Sequence, residues 1–457
     1  MEVNQPVRRM AQARPVWDRC RAAIAGSDAV KAAGAIYLPL LAGAGDRANE
    51  ANSAYLARAI YFNAAQRTHD VLVGTVMARP AAREIPPALE GIAADIDQDD
   101  TRLEDYVRHA VGEVLAVGGM LAVVDYPTRP EDVLTARQER EMGLRPFVAT
   151  YRLEDVLDWR KDKAGITFLR LRETVEEPDG DWGVKEVEQV RVYDTDDGAV
   201  RVRLYRKGES GKWAVDGEEV RLTGSGGQAF TRVPAVWFGP DTDEPGKPPL
   251  LDLIDVNLGH YRNSADMEHA LHFTGLPTPY VSGVSPDELP DGLTLGAGVG
   301  YVFSEVQAQV RFATYGADGL GALDVAMQRK VDMMASLGAR MLATDSKAAE
   351  SGDALAIRRG GENSALAKVA DSVSASVVRM LAIMADWAGV TGEIAYSLDT
   401  DYLPERITAQ EITALMGAWQ GGGITAPELF ERFKAGGLIR DGKTFSDHEA
   451  EAIEDDL

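Results

Sequence analysis

At 457 residues the chain exceeds what one compact core holds, so division into roughly two to four domains is expected. With 45% hydrophobic and 26% charged residues it has the makings of a folded protein, which excludes wholesale disorder. Its 72 acidic against 48 basic residues leave a net charge of −24. That sign argues against a protein that wraps nucleic acid by neutralising phosphates. It suits simple solubility, and equally a surface past which a polyanion must slide without adhering.

The single cysteine, Cys20, excludes an internal disulfide and a cysteine-built zinc cluster, and fits a reducing cytoplasm. The first residues, MEVNQPVRRMAQARPVW, lack the apolar core of a signal peptide, and no apolar run approaches the ~18 residues that span a bilayer. A soluble, cytosolic chain is expected.

In chain order, residues 50–80 place Tyr55, Ala59, Ile60, Asn63, Arg67 and Val71 at steps of three and four, which predicts one helix closed by Pro80. A second helix is predicted over 101–117, running through Gly118-Gly119 into MLAVVDYP, an apolar run that reads as a buried strand. Residues 1–145 thus form a mainly helical lobe. Over 146–245 the period becomes two, which predicts an antiparallel β domain. Asp197-Gly198 marks one hairpin turn and Asp216-Gly217 a second. Its arginines, such as Arg191, Arg201 and Arg203, alternate with apolar residues among many carboxylates and read as a solvated sheet face rather than a nucleic-acid stripe.

The stretch GPDTDEPGKPPL reads as a linker. Beyond it, residues 250–273 predict a helix about 36 Å long and 319–343 one of about 37 Å. The second carries Leu323, Met327, Val331, Met334, Leu337 and Met341 on one stripe. Between them lies a turn-rich insert with short strands expected near VGYVFSE and AQVRFATY. Two helices of matched length around a compact insert predict an antiparallel pair with a knob at its far end.

Residues 346–365, SKAAESGDALAIRRGGENSA, follow, and offer almost nothing to bury. Loops of that length inside compact domains are uncommon and usually functional or disordered. A third long helix then has Leu366, Val369, Val373, Val377, Met380, Met384 and Trp387 on one stripe, with Asn363 or Ser364 placed to cap it and Gly389 to end it. Residues from about 405 are helical and end in the acidic SDHEAEAIEDDL.

Two patterns bear on chemistry. Gly437 to Thr444 spell G-x-x-x-x-G-K-T, the P-loop signature, but a helix is predicted ahead of it where the mechanism needs a strand, and thirteen residues remain behind it. His260, His269 and His272 share one predicted helix, where polar contacts at an interface explain them better than a metal site. No nucleophile elbow, dinucleotide fingerprint or catalytic dyad is visible. No catalytic residue, metal or cofactor is expected, and the chain is not expected to be an enzyme.

The order of elements resembles the portal proteins of tailed bacteriophages. YLARAIYFNAAQRTHDVLVGTVMARP, LEDYVRHAVGEVLAVGGMLAVVDYP, MMASLGARML and GGGITAPELFERFKAGGLI are similar to stretches of an uncharacterised, portal-like family of phage head proteins. The resemblance implies an α+β, multidomain subunit. Residues 1–145 would be a helical wing lobe and 146–245 its antiparallel β part. Residues 246–273 and 319–343 would be stem helices around a clip at 274–318. A tunnel loop at 344–363 would lead to a wing helix and return segment at 364–405 and a helical crown with acidic tail at 406–457.

It further implies a homo-oligomeric ring, usually dodecameric, at the capsid vertex of the virion, assembled in the host cytoplasm. Double-stranded DNA would pass through it during packaging and ejection. Terminase, head-completion or adaptor proteins, capsid and scaffolding proteins would be its partners, with no membrane. In the tunnel loop, Lys347, Ser351, Arg358 and Arg359 would meet DNA, while Asp345, Glu350, Asp353 and Glu362 keep the loop's charge near −1. Another phage head component without a channel, or a nucleotide- or metal-binding enzyme, are the alternatives.

Overall fold

In a computed structural model the described residues are 2–40, 48–127, 138, 142–208, 210–224, 227–240, 244–275, 278–285, 302–303, 306–313, 318–340, 365–400, 402, 409–435, 439 and 444–446. The architecture is α+β, in two compact units, Met1–Leu398 and Asp399–Leu457.

The larger unit opens with helices α1 (Arg8–Ala25), α2 (Ser27–Ala32), α3 (Ala48–Arg58) and α4 (Ala64–Val76). Strand β1 (Ala82–Glu84), α5 (Pro87–Ala93) and α6 (Leu103–Val117) follow. The single helix predicted over 50–80 is therefore two, parted at residues 59–63. Ile60 and Val71, predicted on one inner face, are both exposed. The reason lies far along the chain, in side chains that satisfy the interrupted backbone.

Helix α6 lies within the predicted 101–117, buries Leu103, Tyr106, Val107, Ala110, Val114 and Leu115, and ends where Gly118 turns left-handed at φ +84°. Strand β2 (Met120–Asp125) is buried as its composition predicted and forms the centre of a three-stranded antiparallel sheet between β3 (Phe147–Arg152) and β9 (Ala235–Phe238).

A five-stranded meander follows: β4 (Val156–Asp162), β5 (Gly165–Asp179), β6 (Gly183–Asp196), β7 (Ala199–Lys207) and β8 (Trp213–Arg221). The β6–β7 turn is Asp197-Gly198, both at positive φ, as the sequence predicts. Asp216-Gly217 makes no hairpin. It lies inside β8, where the register with β7 jumps from Val202↔Val220 to Leu204↔Asp216, so the positive φ of Gly217 serves a bulge.

The expected linker before residue 250 is docked at its described end. The Gly246 N–H donates to the Gly118 carbonyl oxygen (2.9 Å), and a Cβ on Gly118 would overlap the Gly246 carbonyl. Helix α7 (Leu251–Gly275) leads to a two-stranded ribbon of β10 (Thr278–Ser282) and β11 (Gln309–Ala313), then to α8 (Asp318–Arg340). Strand β11 lies in the predicted AQVRFATY; its partner is TPYVS, and most of the other predicted strand lies outside the described residues.

Helix α9 (Ala365–Ala388) buries all seven residues of its predicted stripe and stops at Gly389, φ +67°. Its predicted caps, Asn363 and Ser364, lie outside the described residues. Ser376 Oγ lies 2.9 Å from the Trp237 carbonyl oxygen, and Ser374 Oγ accepts the Leu398 N–H at 3.0 Å, which fixes α9 against β9 and the chain leaving it. Strand β12 (Ala395–Ser397) then pairs with β1.

In the smaller unit, α10 (Ala409–Gln420) and α11 (Ala426–Ala435) are joined by a tight turn. Thr425 and Glu428 form a reciprocal cap at the start of α11: the Thr425 N–H donates to Glu428 Oε2 at 2.7 Å and the Glu428 N–H reaches Thr425 Oγ1 at 3.4 Å.

Candidate functional site

The predicted helix pair is the feature to which the sequence assigns a role, and its base explains the break at 59–63. Asn257 is fully buried on α7. Its Oδ1 accepts the Ala65 N–H (3.0 Å), and its Nδ2 donates to the Phe62 carbonyl oxygen (2.8 Å). Two helical turns further on, Ser264 Oγ accepts the Ile60 N–H at 3.1 Å. The Tyr61 hydroxyl donates to the Ala23 carbonyl oxygen (2.8 Å) and stands 3.1 Å from Asn257 Oδ1.

Backbone groups that an unbroken helix would have bonded internally are thus satisfied by α7, and α1, α4 and α7 are tied at one point. Tyr55 adds a bond to Asp266 at 2.6 Å, and Arg262 Nε donates to the Tyr37 carbonyl oxygen at 2.9 Å.

From that base, α7 and α8 run antiparallel. A Cβ on Gly338 would lie 4.0 Å from Leu253, and one on Gly259 would lie 3.3 Å from Lys330, so ascending numbers on one helix meet descending numbers on the other. The helices are about 37 and 34 Å long at 1.5 Å per residue. Along α8 the predicted stripe is only half covered: among described residues of this helix Met334 alone is buried. Val325 and Met333 are 49% and 52% exposed. On the ribbon, Val310 and Phe312 of one face are exposed as well. An isolated two-stranded ribbon is marginal in water, and α8 shows the surface of a helix packed on one side only.

The three histidines pack against aromatic rings, His260 apart from the other two, which share Phe273. His260 is buried against Phe62, ring centroids 5.6 Å apart; burial first and then Lys330 push its pKa down. His269 meets Tyr55 edge-on at 5.3 Å and Phe273 at 4.7 Å, and burial with Arg58 and His272 lowers its pKa too. His272 lies beside Phe273, ring centroids 5.6 Å apart. Among the described residues, no group of three or more His, Cys, Asp or Glu is placed to hold a metal ion. Helix α11 precedes the P-loop-like Gly437–Thr444, of which only Ile439 and Thr444 are described.

The arginines of the β domain are matched to carboxylates across the strands. Arg191 bonds Glu173 (2.6 Å), Arg201 reaches Asp194 and Asp196, and Arg206 bonds Glu177 at 2.7 Å. Their charge is neutralised inside the sheet. The four residues expected to meet DNA, Lys347, Ser351, Arg358 and Arg359, lie outside the described residues, as does the rest of that loop.

One strong electrostatic group had no sequence signal. Arg21 on α1 donates to both carboxylate oxygens of Glu113 on α6 (2.9 and 2.7 Å) and also bonds Glu154, just before β4. Burial works to raise the Glu113 pKa, but hydrogen bonds and charge from Arg21, with His109 and Arg152, hold it below the ordinary glutamate range. Cys20 beside it is fully buried, and burial pushes its thiol up to about 12. No helix among the described residues is long and apolar enough to cross a membrane.

Comparison with known proteins places the helix pair and α9 together. Residues 249–388, from just before α7 to the end of α9, match the family described as "Domain of unknown function (DUF4055)". Two solved structures are similar to the chain. A chain from the neck of a native GTA particle, computed with C12 symmetry, has a TM-score of 0.37 at 13% identity, over 82% of this chain and 91% of that one. A chain from the neck of an empty GTA particle, computed with C6 symmetry, has a TM-score of 0.38 at 12% identity, over 84% of this chain and 93% of that one. No curated protein matches.

Proposed function

We propose that the chain is the subunit of a phage portal ring, a passive channel at the capsid vertex through which double-stranded DNA enters and leaves. The observation that carries this reading is the anchored α7–α8 pair, whose second helix buries only Met334 and whose far end bears a ribbon that pairs with no other strand, both among the described residues. A rod held firmly at its base and half-covered along its length calls for neighbours on its flanks. Copies arranged about one axis supply them, whereas a monomer leaves the apolar surface in water.

Charge supports the same reading. Twelve copies would carry about 290 negative charges, facing a duplex with one charge per about 1.7 Å. Repulsion of that kind lets DNA slide, and Lys347, Arg358 and Arg359 of the 344–363 loop would give local grip, with Ser351 beside them. Terminase and head-completion proteins would dock at the far end of the helix pair, and the energy for packaging would come from a separate ATPase. The chain itself would have no catalytic role, metal or cofactor.

Negative-stain electron microscopy of the purified full chain tests the proposal. Rings with a central bore wide enough for a duplex are expected. Closed particles without a bore would identify a different head component, and monomers that hydrolyse ATP would identify an enzyme.

A further inference from the structure

Strands β5 and β6 outrun their neighbours. β4 pairs with β5 only as far as Leu171, and β7 pairs with β6 only from Gln189 onward, so residues 174–188 form a two-stranded arm that pairs with no other strand. At its tip Trp182 is 98% exposed. The register sets Glu176 directly opposite Glu186, a like-charge pair that weakens an isolated hairpin. Among described residues neither of these nor Asp179 or Asp181 has a cationic partner. An exposed tryptophan on an arm with four unmatched carboxylates is poorly explained by the stability of the arm itself. It has the composition of an anchor that is covered on association.

At the other end of β5 lies a groove of about 890 Å³, bounded by the β4–β5 turn, the chain entering β9, and one face of α9. Its walls include Phe230, Pro234 and Ile383; of its charged residues Asp162 pairs with Arg232, while Lys163 and Arg379, set against the single Asp386, have no carboxylate ion pair among the described residues. The arm tip is thus acidic and aromatic, and the groove has apolar walls and more cations than carboxylates.

We infer that the arm of one copy seats Trp182 in the β4–β5/α9 groove of the next copy. Fifteen residues of β5 separate the two surfaces, about 50 Å of extended chain. An arm fixed in the sheet at its root cannot turn back to its own groove. Two different, complementary patches at opposite ends of β5 make a head-to-tail contact, which closes into a ring when the rotation between copies permits. The acidic tip argues against nucleic acid or an anionic lipid surface as its partner. This inference deepens the ring reading and rests on it for the presence of neighbouring copies.

The test pairs Asp181→Cys with Lys163→Cys in the full chain, which keeps Trp182 and Ile383 in place and where the native thiol, Cys20, is buried. Mild oxidation is expected to give a ladder of covalent multimers, absent from either single variant. Trp182→Ala should weaken self-association about 30-fold or more while leaving the thermal melt unchanged, and added salt should weaken it further. If the double variant forms rings without a cross-link between positions 181 and 163, and the Trp182→Ala chain assembles normally, the contact is overturned and the ring stands. Cross-linked ladders without closed rings would keep the contact and remove the ring. A wild-type chain that stays monomeric, or a residue 181 thiol that captures another particle protein instead of a copy, would overturn the inference.

Discussion

Asn257 and Arg21 show how few side chains hold the larger unit in register. Truncating Asn257 to Ala strands the buried Ala65 N–H, while the Phe62 carbonyl keeps the Ala64 N–H, and the expected loss is about 1–3 kcal/mol, read by denaturant unfolding. A loss under about 0.5 kcal/mol, the range of an ordinary surface change, would show that the break at 59–63 is held by something else. Arg21→Met leaves Glu113 and Glu154 without their cation, at an expected cost of about 3 kcal/mol near neutral pH.

The pH dependence of that cost has a definite sign. In the wild type the depressed Glu113 pKa contributes stability above the ordinary glutamate range, and that contribution is lost as pH falls through the folded-state value. In Arg21→Met burial acts without opposition from the guanidinium, so protonation of Glu113 relieves the folded state. The difference between variant and wild type should therefore shrink from pH 7 to pH 4. A difference that stays constant over that range would remove Glu113 ionisation as its cause.

Among the elements, those with an uninterrupted local pattern were legible from sequence and those decided by distant partners were not. The α9 stripe needs only its own spacing, and all seven of its residues are buried. The Asp197-Gly198 turn needs only two residues at positive φ. Asp216-Gly217 offers the same local chemistry, yet becomes a bulge, because the choice between turn and bulge depends on whether β8 continues along β7. The break at 59–63 is invisible in its own sequence, since Asn257 and Ser264 lie about two hundred residues away. Two polar residues seven apart on the inner face of α7 were the available clue. The proposed DNA-contacting loop was marked by composition alone, which shows that nothing there can build a core but not where its side chains go.

Helix α8 carries its own prediction. Met333→Glu places a charge on surface that is already half exposed, so the melting temperature of the unassembled chain should hold steady. Ring formation should fail in negative stain, and wild-type assembly by this variant would place α8 away from any subunit contact.

At the scale of the whole molecule, the proposed channel joins a strongly acidic subunit to a loop with a few basic positions. Arg358→Ala combined with Arg359→Ala should leave ring assembly intact and lower the amount of DNA packaged. Unchanged packaging would remove the grip assigned to those two arginines. The joint before α7 carries a different consequence. Because Gly246 is clasped to Gly118, and a side chain at Gly118 would meet that carbonyl, the segment entering α7 and the corner leaving α6 are fitted to each other. A chimera that imports residues 249–388 from a relative keeps both partners of this clasp, whereas a seam cut before Gly246 would part them and would graft cleanly only if the donor's α6–β2 glycine corner travelled with it.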